Sequence, residues 1–445
     1  MTSRPLALTV AVLLIGALPT AVNARGWSAL QPLTPHAQDN DLAGLAMDDH
    51  DRASVLLSHR SADHFTLLLR TTGADGRLGP ARTIETTHNG TYGGELFAGA
   101  GRDLVAGFLE IAGGARRPIV RIGPALADRQ VLSTGRRSAQ AMAIAADRAG
   151  DAVVAFTQYA DDVPLVAGAR IWVSYRPAGG RFGPARAVGA GTFAAPKAAI
   201  DRDGTATVAW GDKDGVHVVQ GAGDAWGPAQ VVAGSAARGT MPISLGIGAG
   251  GGHVALAWLR DEGLGTMSAM ATQQATAGAP FGPAATLAAG ADGTVRGAVL
   301  GSTAVTVDDD HAYVAWIQGT PHTRDHDSVR FAVGAPTGVW TSPIVREVPG
   351  PAHPDALTLT APLPGRPPLL GITTSMGGGK MAAATATVRS TGGLAPTRAV
   401  PGATSVGYGT RIAQGPHGAV LAYVSRPGPR AGYHRGQVML VRSAG

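Results

Sequence analysis

The stretches AAIDRDGTATVAWGD at 198–212 and AVTVDDDHAYVAWIQ at 304–318 decide the fold. Each opens on a short apolar run and reverses through acidic and small residues. Each returns as an alternating apolar run that reaches a tryptophan near its end. Period-two alternation on both sides of a tight turn is the pattern of a β-hairpin with a buried face. The phrase recurs as LAMDDHDRASVLLS (45–58), ELFAGAGRDLVAGFLE (95–110), MAIAADRAGDAVVAFT (142–157), LGIGAGGGHVALAWLR (245–260) and RIAQGPHGAVLAYVS (411–425). A degenerate, Pro-rich copy, ALTLTAPLPGRPPLLGITT, lies at 356–374. The large residue of the second strand is Leu57, Phe108, Phe156, Trp210, Trp258, Trp316 and Tyr423. With the degenerate copy counted, the period is roughly 52 residues. A ring at that place is expected to pack between neighbouring sheets as core.

A third apolar strand follows each hairpin, for example FTLLLRT (65–71), IWVSYRP (171–177) and QVMLVRS (437–443). A fourth follows a Gly-rich turn, as in GRLGPARTI (76–84), GRFGPARAV (180–188) and DAWGPAQVV (224–232). Proline removes a ladder donor, so the fourth strand is predicted to be the outer edge. The eighth unit has no fourth strand, but GWSALQPLT at 26–34 matches that phrase and precedes the first hairpin. It is predicted to complete the last unit and close a ring, which leaves no open edge between the first and last units.

This arrangement resembles the β-propeller repeat superfamily over almost all of the chain beyond residue 24. The resemblance implies an all-β fold of eight four-stranded antiparallel blades, or seven if the 356–374 copy is not a blade. Likeness to secreted sialidase-like propellers is at the level of fold only. Their S-x-D-x-G-x-x-W turn motif is not matched, because the corresponding turns read AGDAW (222–226) and GGRF (179–182).

Residues 1–24 read as a secretory signal peptide: Arg4 is followed by an apolar run, Leu6–Leu18, and by small residues Val22 and Ala24 at a cleavage site. The run is too short to span a bilayer, so no membrane span is expected, and 25–445 reads as one propeller domain. There is no cysteine, which excludes a thiolate nucleophile and leaves the core without disulfides. The formal net charge is +6, but the three lysines and 34 arginines are scattered without interleaved aromatics, so nucleic acid is not an expected partner. Mild basicity outside a cell favours an extracellular polysaccharide or other anionic polymer. A monomer is expected.

In such a ring, the first-to-second and third-to-fourth turns share one face and are short here. The second-to-third loops and blade links share the other face and are longer, as in TQYADDVPLVAGAR (157–170) and SRPGPRAGYHRG (425–436). Eight of the 13 histidines fall in these longer segments, which marks that face as ligand-facing. The first residues of the innermost strands, including Asp41, Glu95, Gln140, Lys197, Asp355 and Arg411, should ring the channel mouth there. Together with Tyr92 and Tyr408, Asp41, Glu95, Asp355 and Arg411 are candidate ligand-binding residues.

Three chemistries are open on this face. Tyr433, His434 and Arg435 suit a polysaccharide lyase, in which His or Tyr removes a proton and Arg neutralises a carboxylate. Asp41, Glu95 and Asp355 could supply the two carboxylates of a glycoside hydrolase. His322 and His326, in the dense H-T-R-D-H-D stretch, could serve as acid/base or ligand contacts; they are predicted to lie in a loop, without the Glu of a zinc-protease motif. The acidic turns Asp48-Asp49, Asp201/Asp203 and Asp308-Asp309-Asp310 resemble calcium loops only loosely, and turn formation accounts for them. No cofactor or metal is expected. The reading is a secreted propeller that binds an extracellular glycan on its long-loop face, with a lyase, a hydrolase or a cell-surface interaction scaffold as alternatives.

Overall fold

The computed structural model describes residues 27–28, 31–34, 39–61, 63–73, 76–99, 101–133, 138–159, 169–190, 195–235, 242–263, 266–276, 278–289, 303–320, 323–348, 353–375, 381–389, 393–400, 410–425 and 436–443. Among these, every regular element is a β-strand, and the strands form eight antiparallel sheets. Each sheet runs from an innermost first strand to an outermost fourth. In blade 1 these are Asp39–Met47, Ala53–Arg60, Phe65–Thr71 and Arg82–Thr87. The chain is an eight-bladed β-propeller.

The N-terminal segment closes the ring as its sequence predicts. Gln31 and Pro32 pair with Leu440 and Met439 on the third strand of blade 8, and Trp27 bridges Ser443. Leu33 N–H donates to the Val438 carbonyl at 2.7 Å, and the Gln437 side chain donates to the Thr34 carbonyl at 2.6 Å. Trp27 and Leu33 are buried, so the clasp is fastened by apolar contact as well as by the ladder.

The periodic large residues form the inter-blade core. Phe108 packs with Leu56 and Leu67 of blade 1, Phe156 with Val105 and Val120 of blade 2, and Trp258 with Val216 and Val218 of blade 4. Each ring thus rests on the preceding blade. Leu57 does so on Val420 and Val438 of blade 8, which carries the pattern around the closure. The 356–374 copy is a true blade, with inner strands His353–Leu359 and Leu369–Ser375, so seven blades are excluded. It looks degenerate because Thr373 stands where Tyr423 stands in blade 8, and because its hairpin turn carries the prolines.

Two details differ from the sequence reading. The fourth strands start after the Gly-Pro step, at Arg82 and Arg186. Before it lies a one-residue bridge, Thr72 to Leu78 in blade 1, and the motif glycine donates to the third strand, Gly79 N–H to the Thr71 carbonyl at 2.9 Å. The proline therefore sits in a bulge on the outer edge, where no ladder donor is required. The second difference is in blade 6, whose second and third strands extend over Ala312–Thr320 and Thr323–Gly334 and leave only 321–322 between them. The stretch holding His326 is strand, not loop, because the hairpin ladder continues to the Thr320–Thr323 pair.

The innermost strands lie very close together. An ideal Cβ on Gly44 would sit 2.7 Å from the Leu96 Cβ of blade 2, and one on Gly248 would sit 2.8 Å from the Thr306 Cα of blade 6. Only glycine permits that approach.

Candidate functional site: the channel mouth on the long-loop face

On the short-turn face an aspartate builds the first hairpin turn in four blades. One Oδ1 of Asp48 accepts the His50 and Arg52 amides, Asp147 the Gly150 and Asp151 amides, Asp201 the Asp203 and Thr205 amides, and Asp308 the Asp310 and His311 amides. Burial raises the carboxyl pKa of Asp147 and Asp201 above the usual 3.8, against those amide bonds. Asp48, Asp49 and His50 come close enough to share an ion. However, Asp48 is already committed to two amides and to Arg52, at 2.6 Å, and Asp49 meets His50 at 2.5 Å. These carboxylates are turn and pairing groups, as the sequence reading holds for the acidic turns.

At the opposite end, the innermost strands begin around the channel, and a β-bulge recurs there. The register shifts between Leu42 and Gly44, Tyr92 and Glu95, Ala139 and Ala141, Ile243 and Gly246, and Pro354 and Ala356. Gln140 and Asp355 are the extra residues of blades 3 and 7. A bulge turns a side chain away from strict alternation, so five blades have a means of re-aiming residues at the mouth. No periodicity in the sequence announces this, because a bulge changes the pairing partner and leaves the residue pattern intact.

Of the predicted residues, Asp41 is exposed, with its carboxylate accepting the Leu42 amide at 2.8 Å. Glu95 is half-buried and accepts the Ile144 amide of blade 3 at 2.9 Å, so one of its oxygens ties two blades together. Gln140 is exposed and accepts from Arg116 at 3.1 Å. Lys197 is exposed and Arg411 half-buried, and neither forms an ion pair among the described residues. Tyr92, His326 and Asp355 have described strand backbones, but their side chains lie outside the described residues. His322, Tyr408, Tyr433, His434 and Arg435 lie outside them altogether, as does the expected leader at 1–24.

Gly436, the first described residue after the stretch that holds Tyr433–Arg435, is held by blade 1. The buried Asn40 side chain donates to the Gly436 carbonyl at 3.0 Å, and its oxygen lies 3.2 Å from His59 Nδ1. Residue 436 is therefore held next to Asp41, at the junction of blades 8 and 1.

One group on this face is not signalled by a motif. His217 of blade 4 stacks on Trp210, with centroids 5.4 Å apart and planes 9° apart. Its Nε2 lies 2.8 Å from Asp212 Oδ1, off the line of a hydrogen bond, so the contact is an ion pair only when the ring is protonated. The sole hint is a histidine after the acidic turn in GDKDGVH at 211–217, at a position where blades 1, 2 and 5 carry Leu68, Ile119 and Met270.

No protein-family profile matches this sequence, and no curated protein sequence matches it. Solved structures do resemble the fold. A polysaccharide lyase, Uly1, superposes with a TM-score of 0.50 at 8% identity, covering 94% of this chain and 100% of that one. An α-L-arabinanase of Penicillium chrysogenum, complexed with arabinobiose, gives 0.37 at 12% identity over 68% of this chain and 92% of that one. A prolyl endopeptidase gives 0.45 at 14% identity over 88% of this chain and 53% of that one. The last two likenesses carry no weight, and the first is one of fold: the chain is an eight-bladed propeller similar in architecture to a polysaccharide lyase.

Proposed function

We propose that the protein is a secreted propeller that binds an acidic extracellular polysaccharide at the channel mouth of its long-loop face. The observation that supports this most directly is a pair of cations at that mouth. At the mouth, Lys197 and Arg411 stand at the starts of innermost strands without ion-pair partners among the described residues. Cations placed around a concave mouth attract a polyanion, and strand-borne positions hold them in fixed places. Asp41 and Gln140 add exposed polar groups suited to sugar hydroxyls.

A second reading, catalysis, draws on the anchoring by Asn40 of Gly436, the residue that follows Arg435 in sequence. In a lyase reaction Tyr433 or His434 would take the C5 proton of a uronate while Arg435 neutralises its carboxylate. The C4–O bond breaks, a C4=C5 double bond forms, and the leaving oxygen takes up a proton. The fold likeness to a polysaccharide lyase guides only which substrates to try first.

The test is a panel of uronic-acid and neutral polysaccharides, read by affinity electrophoresis for binding, by ultraviolet absorbance for unsaturated uronates and by a reducing-end assay for cleavage. Binding to an acidic member that falls roughly tenfold in the Lys197→Ala, Arg411→Ala double variant is the expected result. Absorbance rising with reducing ends would establish the lyase reading. Reducing ends alone would point to hydrolysis by Asp41, Glu95 and Asp355. No binding to any member would overturn the proposal and favour a protein-interaction scaffold.

A further inference from the structure

We infer that the cleft between blades 2 and 3 is a saccharide subsite in which the Trp172 indole carries the apolar face of a pyranose ring. The inference deepens the glycan-binding reading and rests on it for the polymer, but the subsite is testable by itself. The cleft has a volume of about 370 Å³ and is lined by Gln130, Val131, Ser133, Gln158, Trp172 and Phe182, among others. That size lies within the range of small-ligand clefts, about 300–1,000 Å³.

Its position follows from the blade register. Trp172 is the cross-strand partner of the core ring Phe156 and faces the outer strand of blade 2, Asp128–Val131. Most other blades place an aliphatic or small residue there, such as Leu68, Ile119, Met270, Ala383 and Met439. The Trp172 indole is partly buried against the inter-blade core and its remaining surface lines the cleft. An indole in a cleft can carry the C–H groups of a sugar.

The walls are held in advance. The Gln130 amide accepts the Phe182 N–H at 3.0 Å and donates to the Phe182 carbonyl at 3.4 Å, which fixes the opposite blade's backbone at two points. Val131 is 42% exposed, and so the rim is apolar without being covered. In the cleft lining, the Ser133 hydroxyl is buried and has no hydrogen-bond partner among the described residues. That oxygen is closed off from solvent, so Ser133 backs the cleft wall and does not reach a bound sugar. Among the described residues, the lining side chains are polar or apolar and carry no charge.

The same two blades are also linked outside the cleft, where Arg116 donates to Gln140 and the Ser138 hydroxyl accepts the Arg116 amide at 3.2 Å.

The experiment labels the protein with 5-fluorotryptophan and follows the seven indoles by fluorine NMR, with the Trp172 line assigned by its loss in Trp172→Phe. Cellobiose, maltose, lactose and xylobiose are titrated separately. The expected result is a saturable shift of the Trp172 line with at least one disaccharide, weakened several-fold in Gln130→Ala, which releases the Phe182 wall. Calorimetry should show the Trp172→Ala variant binding that disaccharide roughly tenfold more weakly, with its thermal unfolding still cooperative. A Trp172 line unmoved by all four sugars overturns the subsite, as does an unchanged affinity in both Trp172 variants. A silent Trp172 in a protein that still binds the acidic polymer leaves the channel-mouth proposal standing. A responding Trp172 without polymer binding leaves the subsite standing and removes the polymer.

Discussion

Trp258 and Trp316 occupy the same place in adjacent blades, and both are fully buried, yet they differ in one bond. Trp316 Nε1 donates to the Gln318 amide oxygen at 3.3 Å, whereas Trp258 Nε1 is buried without a partner among the described residues. Replacing each by phenylalanine removes the same ring atoms and leaves a similar void, so the packing loss is shared. Trp316→Phe also loses a hydrogen bond worth about 1 kcal/mol net. Trp258→Phe instead removes an unsatisfied donor whose burial costs about 1–3 kcal/mol. Trp316→Phe is therefore expected to be the more destabilising by about 2–4 kcal/mol. With a urea slope of about 3 kcal/mol/M, the unfolding midpoints should differ by roughly 1 M. Equilibrium urea unfolding followed by circular dichroism measures this. A Trp258→Phe midpoint equal to or below that of Trp316→Phe would refute the reasoning.

Other perturbations follow from the same contacts. Leu33→Ala, at a buried position of the clasp, should cost about 3 kcal/mol by urea unfolding. A chain beginning at Pro35 should unfold earlier still and recover when the peptide GWSALQPLT is added; no recovery would count against the clasp as the closing element. Asp308→Ala, which loses two turn amides and the Tyr313 hydroxyl bond at 2.6 Å, should cost about 2–4 kcal/mol, visible as a lower thermal midpoint. Burial raises the Asp201 pKa above 3.8, so the folded chain holds that proton more tightly than the unfolded one. Stability from this source falls as pH rises through the window between 3.8 and the folded value. Asp201→Asn keeps an amide-accepting oxygen without the charge. It should match or exceed the parent at pH 7 and lose that relative advantage at pH 3, as measured by urea midpoints at the two pH values.

The architecture was legible because it is written as repetition. A buried ring must recur wherever a blade must rest on its neighbour, and the missing fourth strand of the last unit has its match at 26–34. Blade 7 was harder to read, since Thr373 replaces the ring and prolines interrupt the turn, but the hairpin spacing still placed it. The site was less legible because its geometry is made between units. Glu95 reads as a free channel acid, yet one oxygen is held by an amide 49 positions away in the next blade. Asp355 reads as the start of a strand and is the extra residue of a bulge. Trp172 sits inside IWVSYRP, an unexceptional apolar strand; only comparison with the same place in the other blades distinguishes it. Tyr433, His434 and Arg435 lie outside the described residues, and their roles are the subject of the substrate panel.

The pairing of Gln31 and Pro32 with Leu440 and Met439 also sets an order of assembly. Seven blades are each drawn from contiguous sequence, and their hairpins can form while the ribosome is still working. The eighth cannot, because the bond from Gln437 to Thr34 joins residues 403 positions apart and its donor is made long after its acceptor. Loop closure over such a span adds only logarithmically to the entropic cost, so its equilibrium penalty is modest. Its kinetic effect is larger, since so long-range a contact must wait for the blades between its two ends. A chain made only as far as blade 7 is thus an unclosed arc, with the strand at Gln31–Pro32 unpartnered and two blade faces still wet, and synthesis of the Gln437–Arg442 strand is what permits the native state.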